Sequence, residues 1–177
     1  MRSHYLSHGG PDVRSGHRTA DHRRDACGIN KKSEPWTCEV DKTAVRMFAR
    51  SVGHTDPVYY DESEAKKAGY RNLPAPPGYL GTPVFDPRDS DPTFGARRGR
   101  RMPEPSRPLK RILNGGTEIE YFDDICAGDT LTAVSYVSDL AERKGSIGEM
   151  LITTTKTEYT NQDGKLVAVM TGTGIRY

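Results

Sequence analysis

The sequence predicts an α+β fold, with helices early in the chain and an antiparallel sheet late. Three observations carry this. Ala44, Val45, Phe48, Ala49 and Val52 recur at i, i+1, i+4, i+5 and i+8, which makes one apolar helical face. From Ile112 onward, stretches rich in Thr, Val, Ile and Tyr alternate with short turns, as strands of a meander do. Between these regions, residues 74–108 hold nine of the twelve prolines, so long regular structure is excluded there. A chain of 177 residues suits one core of ordinary size better than two domains.

Residues 1–34 contain four of the five histidines and several arginines, with Tyr5, Leu6, Val13 and Ile29 as almost the only apolar side chains. Such a stretch buries too little surface to offset its ordering entropy, and it is expected to be a disordered basic arm. His4, His8, His17 and His22 lack the tight spacing of metal ligands, so no metal site and no cofactor are expected. The domain itself is assigned to residues 35–177.

Thr37–Val40 is expected to be a short strand, and Asp41 the N-cap of the helix that carries the stripe, with Gly53 as its stop. A second short helix has Asp61 as cap, Glu64 as capping-box partner and Gly69 as stop. A further short helix is predicted from Pro77 to about Phe85, because proline is tolerated in a first turn. Ile112–Tyr121, Thr130–Leu140, Met150–Thr160 and Lys165–Tyr177 are expected strands. Ala127-Gly-Asp129 and Asn161-Gln-Asp-Gly164 are the turns between them.

Composition narrows the function classes. With 34% hydrophobic and 28% charged residues, the chain is more polar than an average domain. No apolar run is long enough to span a bilayer, and the N-terminus lacks the apolar centre of a signal peptide, so a soluble, cytoplasmic protein is expected. Cys27, Cys38 and Cys126 are odd in number and widely spaced, which suits free thiols. Arg97, Arg98, Arg100 and Arg101 form a basic run, extended by Arg107, Lys110 and Arg111. Clustered guanidiniums suit phosphates, while the bland alternative is a solvated charge run in a proline-rich insertion at about 86–111. Only Phe94 lies near the run as a stacking aromatic, which argues against nucleic acid.

Four features suggest a family: Gly53-His-Thr-Asp-Pro-Val-Tyr59 with Ala65, the run Gly69–Gly78, Gly115–Tyr121 with the turn Ala127–Leu131, and the closing Asn161–Val169 hairpin. In this order the chain from about Trp36 to Tyr177 resembles the N-terminal-type domain of MaoC-like dehydratases. The resemblance implies a hot-dog fold, an antiparallel sheet wrapped around a central helix and usually dimerised through sheet edges. The activity it implies is hydration of an enoyl thioester, or the reverse dehydration, by an Asp and a His that share a water. A backbone N–H at the start of the central helix holds the thioester carbonyl. Gly78 falls at that position, with a plain turn after two prolines as its other reading.

The two proton-handling positions depart from the pattern. His54 stands where the family expects Asp, and Tyr59 where it expects His. His54 as a base, oriented by Asp56 and assisted by Tyr59, is one reading, although a phenol with a pKa of about 10 is a poor acid for this step. The other has His54 and Asp56 capping a helix end and turn while Tyr59 packs inside. The second reading resembles the silent halves of heteromeric hydratases. It implies a chain that supplies scaffold and substrate tunnel to a hot-dog partner with the intact pair. The expected ligand is an acyl-CoA or acyl-carrier-protein thioester and the expected assembly a homo- or heterodimer, with neither nucleic acid nor membrane as partner. A self-sufficient hydratase and a non-enzymatic acyl-thioester-binding module are the alternatives.

Overall fold

The computed structural model of the chain describes residues 28–85, 109, 111–145 and 148–177. The predicted arm up to residue 27, Cys27 and most of the proline- and arginine-rich insertion, with Arg97, Arg98, Arg100 and Arg101, lie outside the described residues. In chain order come β1 (Trp36–Glu39), α1 (Lys42–Ser51), a 3₁₀ turn (Pro57–Tyr59), α2 (Glu62–Lys67), β2 (Thr82–Pro83), β3 (Ile112–Tyr121), β4 (Thr130–Gly145), β5 (Gly148–Thr160) and β6 (Leu166–Arg176). All six strands join one antiparallel sheet in the order β2-β1-β4-β5-β6-β3.

The helix signals act as their chemistry dictates. Asp41 Oδ1 accepts from the N–H of Thr43 (2.8 Å) and Ala44 (3.2 Å), so two of the orphan donors of α1 are satisfied. At the far end Gly53 sits at φ 79°, a left-handed conformation that lets its N–H reach Arg50 O while His54 N–H reaches Ala49 O. Asp61 caps α2 in the same manner. The predicted capping box is half-made. Glu64 Oε1 takes Lys67 Nζ (2.7 Å), and the N–H of Asp61 donates instead to Pro57 O (2.9 Å).

The core lies between the apolar stripe of α1 and one face of the sheet. Val45 joins Cys38, Val40, Leu131, Ala133, Tyr159, Val167 and Ala168, with Leu73 and Leu80 from the connecting loops. α1 therefore supplies the helix of that core. Directly opposed residues of neighbouring strands share a face. The row Ala133, Tyr159, Ala168, Tyr121 thus runs from β4 to the edge strand β3, the first three members buried and Tyr121 at the rim.

Two expectations change. No helix forms over Pro77–Phe85: Tyr79 N–H donates to Pro76 O (2.9 Å) and Gly78 has φ 95°. Proline at the second position and a positive-φ glycine at the third are what a type II turn requires, and the chain then enters β2. The short stretch 28–34, assigned by composition to the arm, runs beside β4. Asn30 N–H donates to Val137 O and Ser33 N–H to Ser135 O, each at 2.8 Å.

Candidate functional site

His54, Asp56 and Tyr59 occupy the short connection between α1 and α2. The rings of His54 and Tyr59 lie together, centroids 5.1 Å apart and planes tilted by 37°. The backbone of His54 is fully used: its N–H closes the end of α1, and its carbonyl accepts from the Tyr60 hydroxyl at 2.5 Å. Asp56 is exposed and caps the 3₁₀ turn, its Oδ1 accepting from Val58 N–H (3.1 Å). Burial pushes the Tyr59 phenol above its usual value, and the nearby Tyr70 and Asp56 add to the rise. That shift runs opposite to what a proton donor near neutrality needs.

Gly78 belongs to a different piece of the fold. A strap from Leu73 to Pro77 is tied to the loop before β4: Ala75 N–H donates to Ile125 O (2.7 Å), and Ala127 N–H donates to Leu73 O (2.8 Å). This loop is itself anchored by Asp129, which is buried and receives Arg71 Nη2, Cys126 N–H (2.8 Å) and Gln162 Nε2 (3.3 Å). At the end of the strap the turn presents Gly78 N–H outward, where it donates to the Tyr121 hydroxyl at 2.8 Å. A Cβ placed on Gly78 would lie 3.5 Å from the Phe48 ring, and Phe48 stacks on Tyr79 at 5.4 Å. Phe48 in α1 is thus the described link between the Gly78 turn and the helix whose end the His54 N–H closes.

The Gly78 N–H, expected as an oxyanion donor, has no helix starting behind it among residues 78–85 and already donates to a phenol. Sequence reasoning missed Tyr121 and Asp129. Burial pushes the Cys126 thiol above its usual range, which disfavours a thiolate nucleophile. Among the described residues no cluster of three or more His, Cys, Asp or Glu could hold a metal ion.

A sequence model described as "FAS1-like, dehydratase domain region" matches residues 28–170, most of the chain. The protein belongs to the FAS1-like dehydratase domain family. The match begins at residue 28, next to the bridge of Ile29 with Val137 on β4. A UPF0336 protein of Thermobifida fusca (strain YX) is 30% identical over 118 residues, covering 67% of this chain and 70% of that protein. Among solved structures, the ChsH1-ChsH2 complex from Mycobacterium tuberculosis is similar over 88% of this chain and 92% of that one, with a TM-score of 0.65 at 17% identity. The HadBC (3R-hydroxyacyl-ACP dehydratase) complex from the same organism is similar over 81% and 95%, with a TM-score of 0.58 at 23% identity. Likeness at these identities shows the fold, a single hot-dog in which a curled antiparallel sheet packs on few helices.

Proposed function

We propose that this member of the FAS1-like dehydratase family is the non-catalytic subunit of an enoyl-thioester hydratase or 3-hydroxyacyl-thioester dehydratase. It supplies scaffold and thioester contacts, while a partner hot-dog chain supplies the Asp and His. One observation carries the reading. At the two proton-handling positions His54 and Tyr59 lean on each other's rings, and the phenol is shifted away from proton donation. Asp56, the only nearby carboxylate of the trio, is engaged by a turn. Structural neighbours crystallised as complexes of two different chains support a partnered assembly. The strand β3, at the edge of the sheet among the described residues, is the natural place for a partner's strand. Arg97, Arg98, Arg100 and Arg101 are proposed to bind the phosphates of CoA or of a carrier protein's arm.

The test is co-expression with a chain that carries the intact Gly-Asp-x-Asn-Pro-x-His motif, followed by hydration of crotonyl-CoA. The complex is expected to turn over and the present chain alone to be inert. Enzyme-like hydration by the purified chain alone would overturn the proposal in favour of a self-sufficient His54 site. His54→Ala would then abolish that activity.

A further inference from the structure

We infer that Tyr121, rather than the Gly78 amide, is the group that receives the carbonyl oxygen of the bound thioester. The inference rests on the reading of this chain as a thioester-binding subunit and assigns the atom that makes the contact.

Gly78 N–H is the only hydrogen-bond donor the turn offers at that atom, and Tyr121 Oη takes it at 2.8 Å. A ligand carbonyl reaches that N–H only by displacing the phenol, which exchanges one hydrogen bond for another and gains little. The phenol, by contrast, has a hydrogen left to give. Its oxygen accepts from the amide, and among the described residues no acceptor for its O–H is present. An O–H whose oxygen is already polarised by an N–H donates more strongly, because bonds in such a chain reinforce one another. Amide, phenol and carbonyl oxygen then form a relay in which the existing bond is kept and a new one is added.

Position supports the same assignment. Tyr121 stands opposite Ala168 on the core face of the sheet, at the last position of β3, so its ring is held by strand pairing rather than by a loop. The residue is 41% exposed, at the rim of the sheet. The Phe48 ring lies 3.5 Å from where a Cβ on Gly78 would stand, so an apolar surface sits beside the turn. A neutral phenol suits this role: it donates to a carbonyl, and more strongly to the enolate-like oxygen that develops from it, without itself losing the proton.

The full chain, alone and co-purified with its partner, is titrated with butyryl-CoA and with S-butyl-CoA, a thioether that lacks the carbonyl. Tyr121→Phe is expected to weaken the thioester by about tenfold and leave the thioether unchanged. Equal affinities of wild type and variant for the thioester, or tighter binding by the variant because the amide has been released, would overturn the inference. If Tyr121→Phe does not fold, fluorotyrosine incorporated at position 121 keeps the ring and makes the phenol a stronger donor. Thioester affinity should then rise severalfold with the thioether unmoved, and no rise overturns the inference equally. Failure of the wild type to bind either CoA compound would remove the thioester-subunit reading itself. Binding of both without the difference at Tyr121 removes the present inference alone.

Discussion

Thr153 shows what single residues decide here. Its hydroxyl is sealed from water without a hydrogen-bond partner among the described residues, between Leu140 on β4 and Gly174 on β6. A buried polar atom left unsatisfied costs the desolvation of that group, and the isosteric apolar side chain does not carry the cost. Thr153→Val is therefore expected to raise stability by about 1 kcal/mol, read from the urea midpoint. A lower midpoint would show that the hydroxyl has a partner. Four residues further along β5 the same chemistry is resolved, since Ser135 Oγ and Thr157 Oγ1 bond each other at 2.6 Å. Residues of the candidate site were legible to different degrees. The exchange at His54 and Tyr59 was visible because both lie in one short, family-like block. Tyr121 was not, because its bond to Gly78 spans a sequence separation of 43 and alternation marks it only as a strand residue.

The elements most legible in the sequence were those whose ends carry their own chemistry. Asp41, Gly53, Asp61 and Gly69 act within one turn of themselves, and the structure places all four where local capping rules require. Asp41→Ala removes the acceptor of two N–H groups and is expected to cost about 1 kcal/mol of stability, while Asp41→Asn recovers most of it. Chemical denaturation of both variants checks this, and equal losses would show that charge rather than capping geometry matters. Illegibility had two physical sources. Pro76-Pro77-Gly78 reads equally as a helical first turn and as a type II turn, and the choice fell to a tertiary bond, from Gly78 to Tyr121. Sheet order is the other. β3 does not pair with the next strand along the chain, because the loop after it is drawn away by the strap at Leu73–Ala75, and β3 finds β6 instead. No periodicity in the sequence encodes that choice.

For the molecule as a whole, the decisive asymmetry is between the two margins of the sheet. On one side β1 covers Thr130–Ala133 of β4, residues 28–34 continue along it as far as Val137, β2 is only two residues long, and among the described residues the far half of β4 pairs with β5 alone. On the other, β3 offers ten residues bonded on one side only among the described residues, with Ile112 74% exposed and Leu113 beside it. Association is therefore expected through β3. Charging it with Ile112→Lys and Leu113→Glu should lower the apparent mass in sedimentation from that of a pair to that of a single chain, without unfolding the protein. An unchanged mass would place the contact elsewhere. The uneven margins also bound how far such growth proceeds. Two copies that join rim to rim about a two-fold axis use up the β3 border of each, so growth through that border stops at the pair.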